Sequence, residues 1–210
     1  MSQVFNQTNM LFLLKGIKLT LIIALTSIAL SMFFGTILAV LRSFSKGISG
    51  KIATLYIEIF RNTPLLLWIL SIRFLVPIPP MYSGILSFTL FTSAVMAEIL
   101  RGGMNSIGNG QYEAAYSQGF SKLQTLIYII LPQSFRSCIP TFLSQAVSAI
   151  KDTSFLWVVG IEEFTGKGMI LMGSFASSFQ VFLLFGTLAA TYFIINFAIS
   201  CSVRTIETAY

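Results

Sequence analysis

Leu19 to Leu41 reads LTLIIALTSIALSMFFGTILAVL, 23 residues without a charge. At 1.5 Å per residue a helix of that length covers about 34 Å, enough to cross a hydrocarbon layer of about 30 Å. A second uncharged run of 23 residues, Val181 to Val203, stands near the other end of the chain. A soluble domain of 210 residues would have to hide both runs inside a small core. Composition agrees: 55% of the residues are hydrophobic and 10% charged, against about 25% charged in an average soluble protein. The chain reads as one integral membrane domain covering residues 1–210.

The remaining spans are less regular. Ile52 to Leu75 is apolar but carries Glu58, Arg61, Pro64 and Arg73, and Pro77, Pro79 and Pro80 then stop any helix. Gly84 to Leu100 is a third span, with Glu98 and Arg101 at its end. Residues 123–160, 38 in all, are too many for one straight span and barely enough for two, and Pro132, Arg136 and Pro140 interrupt them. One reading makes 123–137 an interfacial approach and 138–160 the fourth span. The other breaks the segment near Arg136 and raises the total from five to six. The five-span reading gives an all-α polytopic membrane protein with spans at 19–41, 52–75, 84–100, 138–160 and 181–203, and a cytoplasmic loop at 101–137.

Charge then sets orientation. With five spans, Arg42, Lys46, Lys51, Arg101, Lys122, Arg136 and Arg204 share one side, and only Lys15, Lys18 and Lys167 lie on the other. An excess of cations marks the cytoplasmic side, so the 101–137 loop and the C-terminus are expected inside and the N-terminus outside. The same flanking cations account for the net charge of +6 without a nucleic-acid partner. Residues 1–14 contain no Lys or Arg, so the first run does not read as a cleaved signal. Cys138 and Cys201 sit in apolar surroundings and suggest no disulfide framework.

Catalytic chemistry is hard to place in this chain. It has no histidine, which removes His-ligated metals, Ser-His-Asp triads and imidazole relays. The nearest approach to a phosphate-cradling loop is Gly160 to Gly166-Lys167, with five intervening residues where four are needed and Gly168 where a hydroxyl is needed. No ATP site of that kind is expected, and no enzyme.

Glu113 to Pro132 is a mostly polar island between greasy runs. Glu113 to Gln118 favours a helix, Asn109-Gly110 fits its start, Gly119 its left-handed stop, and Pro132 a bend before the next span. Physics alone leaves two readings: an amphipathic cytoplasmic turn, or a place where something outside the membrane takes hold.

The spacing of Glu113-Ala114-Ala115, Gly119, Ile129 and Leu131-Pro132 resembles the loop signature of the membrane subunits of bacterial ABC importers. Four further strings resemble the polar amino acid (histidine/glutamine/arginine-type) branch: Lys18 to Leu21, Phe60 to Leu66, Ala97 to Gly103, and Lys151 to Ser154. The resemblance implies a permease subunit of the type I importer fold in the bacterial cytoplasmic (inner) membrane. It also implies pairing with a second permease subunit, identical or sister. A short coupling helix would dock on two ATP-binding subunits that carry ATP and Mg, while an extracytoplasmic binding protein delivers the amino acid. Glu113, Ala114, Ala115, Gly119, Leu131 and Pro132 are the coupling residues it implies, with no cofactor on this chain. Two departures stand out: Asn62 where the family often has glycine, and a short turn from Val76 to Ser83.

Charged side chains at membrane depth cost about 2.5–3.5 kcal/mol each, so they are candidates for the substrate path. Glu58 and Arg61, three apart, suit a pair, with Thr63 and Pro64 beside them on a helix that the proline interrupts. Glu98 and Arg101, also three apart, suit a structural lock. Gln145, Ser148 and Asp152 form one polar stripe at i, i+3 and i+7. Two readings stand for the stripe: hydrogen-bonding glue against a partner subunit, or the wall of a central cavity. In the second, Asp152 attracts a substrate ammonium and Gln145 selects the side chain, which suits a polar amino acid such as glutamine. Arg61, Thr63 and Glu98 are further candidates. A self-powered secondary transporter is the rival reading, but it predicts repeated halves, and the sequence shows no repeat.

Overall fold

A computed structural model of the protein describes residues 5–45 and 47–207, with side chains of the last helix described as far as Cys201. Lys46 lies outside the described residues, as does the side chain of Arg204. The helices in chain order are α1 (Gln7–Phe44), α2 (Ile48–Arg61), α3 (Leu65–Leu75), α4 (Pro80–Asn105), α5 (Asn109–Ser117) and the single turn α6 (Lys122–Thr125). A π-helical turn (Leu126–Ile130) leads into α7 (Leu131–Asp152), then a 3₁₀ segment (Thr153–Val159), α8 (Phe164–Met172) and α9 (Ser178–Glu207). Helix α4 lies at the centre, packed against α1, α2, α3 and α7, while α8 fills the space between α1 and α9.

Small residues build the longest seam. Gly16, Thr20, Ala24, Ser27, Ser31, Gly35 and Ala39 recur every three or four positions along the buried face of α1. Lipid gives helices no hydrophobic reason to associate, so they bind by close approach and hydrogen bonds. Ser27 Oγ donates to the Ile85 carbonyl at 3.3 Å and Ser31 Oγ to the Thr89 carbonyl at 3.2 Å, both on α4. At Gly35 a Cβ would stand 2.9 Å from the Ser93 carbonyl oxygen and 3.1 Å from the Ala97 amide nitrogen, both backbone. The helices approach as closely as they do because no Cβ is there.

Four helical runs are long and apolar enough to cross a bilayer: 7–44, 80–105, 122–159 and 178–201. Helices α2 and α3 together make a fifth, broken one. Six spans are therefore not needed, but two expected shapes change. The 52–75 span is not straight; it bends by 105° between Arg61 and Leu65. Pro64 lacks an amide proton and disfavours helix at Thr63. Side chains at the break bond carbonyls of the last turn of α2: Thr63 Oγ1 donates to the Ile59 carbonyl at 2.7 Å, and Asn62 Nδ2 adds a second donor, at 2.7 Å, to the Glu58 carbonyl. Asn62 has φ −101° and ψ 8°, so no glycine is required there.

The second change concerns 123–160. Residues 123–137, expected as an interfacial approach, are helical and continue into α7 as one run from Lys122 to Val159. Pro132 therefore does not separate an approach from a span. It falls in the first turn of α7, just after the π-helical turn, where the wider register already departs from the i→i−4 ladder that proline would break. Pro140 is carried inside the same helix. The coupling loop shrinks accordingly, since residues 101–105 belong to α4 and 122–137 to this run.

The aromatic residues divide as expected between lipid and packing. Phe182 and Phe193 of α9 are exposed, whereas Phe88 and Phe164 are buried. Trp68 stacks on Phe60 with ring centroids 4.1 Å apart, and its Nε1 donates to Thr63 Oγ1 at 2.7 Å.

One charge cluster ties α1, α2 and α4 at the end that leads into α5. Glu98 accepts from Arg101 of its own helix at 2.6 and 3.0 Å and from Arg42 of α1 at 3.2 Å, and pairs with Arg61 of α2 at 3.5 Å. Glu58 does not pair with Arg61 as its spacing suggested; Arg42 Nη2 reaches it at 2.7 Å from α1. The bend after Arg61 explains this, because it brings the end of α2 beside α4 and α1. Glu98 is thus the shared acceptor for three guanidinium groups. Replacing it, as Glu98→Ala, removes the common partner of Arg42, Arg61 and Arg101. Because the cluster is only partly buried, the expected loss is roughly 1–3 kcal/mol, below the 3–5 kcal/mol of a fully buried pair. Thermal unfolding of the purified protein in detergent should show a fall of several degrees; an unchanged midpoint would contradict this role.

Candidate functional site

Two polar regions remain after the apolar packing is accounted for. The first is the α5 end. Helix α5 has nine residues and shows Glu113, Ala114 and Tyr116 on its exposed side. Ala115 turns inward and is 2% exposed, so only one alanine of the pair lies on the outer surface. Partial burial, with Tyr116 nearby, raises the Tyr112 phenol above its ordinary range.

Gly119 closes the helix at φ +85°, a left-handed value that only glycine adopts without strain. The Phe120 amide donates to the Ala115 carbonyl at 3.1 Å and the Gly119 amide to the Tyr116 carbonyl at 3.0 Å, the two bonds of a Schellman stop. A Cβ at Gly119 would meet nothing within 4 Å, so the strain is in the backbone and not in a clash. Ser121 then starts the next turn with a capping box: its Oγ accepts the Gln124 amide at 3.3 Å, and Gln124 Oε1 accepts the Ser121 amide at 2.8 Å. The Ser-x-x-Gln signature was legible in the sequence although the island reading did not use it.

Gln133 Nε2 donates to Gln111 Oε1 at 3.3 Å and so links α7 to the start of α5. No sequence pattern announces that contact, because 22 residues separate the partners. Pro132 is exposed beside it, while Leu131 and Ile129 are half-buried against the core formed by Leu100, Leu126 and Ile130. The coupling candidates therefore split. Glu113, Ala114, Gly119 and Pro132 lie at the surface, and Ala115 and Leu131 support them from beneath.

The second region is the C-terminal part of α7. Gln145, Ser148 and Asp152 share one face and are all half-buried. Ser148 Oγ donates back to the Ser144 carbonyl at 3.3 Å. Gln145 and Asp152 make no side-chain hydrogen bond or ion pair among the described residues. The other path candidates do not share this freedom: Arg61 and Glu98 belong to the charge cluster, and Thr63 is bonded to Ile59 and Trp68. Around Gly166-Lys167, the Gly166 amide is bonded to Glu163 at 2.8 Å and the Lys167 ammonium to Glu162 at 3.1 Å.

The chain's likeness to known proteins accords with both regions. The family described as the binding-protein-dependent transport system inner membrane component matches residues 31–209. The chain is 36% identical over 208 residues to the Probable glutamine ABC transporter permease protein of Bacillus subtilis (strain 168), covering 97% of this chain and 95% of that one. It is 31% identical over 202 residues to the glutamine transport system permease protein of Escherichia coli (strain K12), covering 93% and 91%. Its backbone is similar to the crystal structure of an amino acid ABC transporter with histidines, with a TM-score of 0.86, 25% identity, and 97% and 96% of the two chains covered. With a matched segment that takes in α5, the π-helical turn and the polar stripe of α7 alike, this chain belongs to the binding-protein-dependent transport system inner membrane components.

Proposed function

We propose that the chain is the permease subunit of an ATP-driven importer and carries a polar amino acid, glutamine or one like it, across the cytoplasmic membrane by alternating access. The observation that carries the reading is α5, a short polar helix with Glu113 and Ala114 exposed, fixed to the spans by the Gly119 stop and the Gln111–Gln133 contact. A self-powered carrier has no use for such a surface. A second permease subunit, identical or sister, completes the path. Two ATP-binding subunits grip α5, and a binding protein brings the amino acid to the opposite face. The cation excess around α5 supports a cytoplasmic placement for it, with the N-terminus outside and the C-terminus inside.

ATP binding closes the paired ATPases, moves α5, and through α4 and α7 tilts the spans between inward-open and outward-open states. In the path, Asp152 meets the substrate ammonium and Gln145 its side chain. Neither makes a side-chain hydrogen bond or ion pair among the described residues, which leaves both available to a substrate. Arg61, Thr63 and Glu98 act mainly to hold the shape of the path, and Ser148 lines it.

Uptake of glutamine into vesicles holding the full complex tests the whole reading. Accumulation should require ATP and the ATP-binding subunits, and uptake driven by an ion gradient without them would overturn it. Gly119→Val forces a β-branched residue to φ +85° and distorts the turn where the ATPase docks. It should cut transport at least tenfold while membrane insertion and ATPase catalysis persist; normal transport would make the α5 region a mere linker. Gln145→Glu should raise the uptake of arginine relative to glutamine, since a carboxylate favours a cationic side chain. An unchanged ratio would remove Gln145 from selection.

A further inference from the structure

Glu163, between the 3₁₀ segment and α8, is a fully buried carboxylate, 0% exposed, that pairs with no cation among the described residues. Its Oε1 accepts the Gly166 amide at 2.8 Å, an ordinary helix cap. Capping alone does not require burial. Its Oε2 accepts the Thr20 hydroxyl of α1 at 3.1 Å and the Tyr192 hydroxyl of α9 at 3.0 Å. The Thr20 oxygen in turn accepts the Phe164 amide at 3.1 Å, which orients its own proton toward Glu163. Three elements distant in sequence therefore converge on one side chain. The 3₁₀ segment packs against α8, and its first residue, Thr153, is fully buried, donates its hydroxyl to the Ile150 carbonyl of α7 at 2.7 Å and directly follows Asp152. Lys167 adds a second grip of α8 on α1, with its Nζ 3.9 Å from the centre of the Phe12 ring.

We infer that Glu163 is a positioning residue for substrate passage: it fastens α8 to α1 and α9 and, through the 3₁₀ segment packed on α8, fixes the end of α7 that carries Asp152. The inference rests on the reading of Asp152 as the ammonium contact. Burying a carboxylate is costly unless every lone pair is used, so the node holds only while all its donors stay in place. It lies about 33 Å along α1 from Arg42 and the α5 end, counting 1.5 Å per residue from Thr20. Its loss should therefore disturb binding more than ATP hydrolysis. Glutamine at this position keeps the geometry without the charge, since its carbonyl can accept the Gly166 amide and its amide can donate to the two hydroxyl oxygens.

The test uses the full permease–ATPase complex in detergent, with Glu163→Ala, Tyr192→Phe, Glu163→Gln and Asp152→Asn compared with the unaltered chain. Hydrogen exchange reports order along residues 153–159, and labelled L-glutamine reports affinity. Glu163→Ala and Tyr192→Phe should speed exchange in 153–159 at least tenfold, leave α5 unaffected, and weaken glutamine binding fivefold or more with the kcat of ATP hydrolysis within twofold. Glu163→Gln should restore both readouts to within twofold of the unaltered chain. Unchanged exchange in both truncated variants, or Glu163→Gln failing as badly as Glu163→Ala, overturns the inference. Should Asp152→Asn leave glutamine affinity unchanged, the Asp152 reading fails by itself, while the exchange data still decide whether Glu163 orders this end of α7.

Discussion

Hydrocarbon offers no partner to an unpaired backbone N–H or C=O, and this constraint governs the whole structure. Long helices meet it where the sequence is regular. Where the sequence interrupts them, the Asn62 and Thr63 side chains bond carbonyls at the 105° bend, and a π-helical turn precedes Pro132. The same logic applies between helices. Serines 27 and 31 spend their hydroxyls on carbonyls of α4, and Gly35 lets the backbones meet.

The two ends of the bundle are built differently. Near α5, three arginines converge on Glu98 and make a partly exposed, charge-dense clamp across α1, α2 and α4. Toward the other end of α1, a single carboxylate, Glu163, is held by hydroxyls and an amide with no cation, deep between α1, α8 and α9. A clamp of many charges tolerates motion because partners can be exchanged. A buried node with each donor committed does not. This difference fits a machine in which α5 moves under load while the far end keeps its geometry.

Much of the candidate coupling surface was legible because its signals are local. Gly119 stops a helix for reasons that lie in its own backbone, and the exposed Glu113 follows from a polar stretch that lipid would reject. Ala115 was less legible: its burial depends on which way nine residues of helix rotate against the spans beneath. Arg61 and Glu98 were marked as candidate path residues from their charge and depth. Their partners come from other helices, so only the assembled bundle gives Arg61 to Glu98 and Arg42 to Glu58.

By itself the sequence determined that the chain is a helical membrane protein with five apolar stretches and one polar helix between them. Length, hydropathy and charge are properties of consecutive residues, and the bilayer reads them consecutively. Tertiary structure decided where those stretches bend, that residues 122–159 form one continuous run, and which distant side chains meet. The proline at 64 breaks its helix because it lacks an amide proton and disfavours helix at Thr63, with the Asn62 and Thr63 side chains bonding carbonyls of the last turn, whereas the proline at 132 falls where the helix has already widened. Thr20, Glu163 and Tyr192 meet although more than 140 residues separate the first two. Such contacts leave no periodic trace, because what selects them is the pairing of buried polar groups across helices.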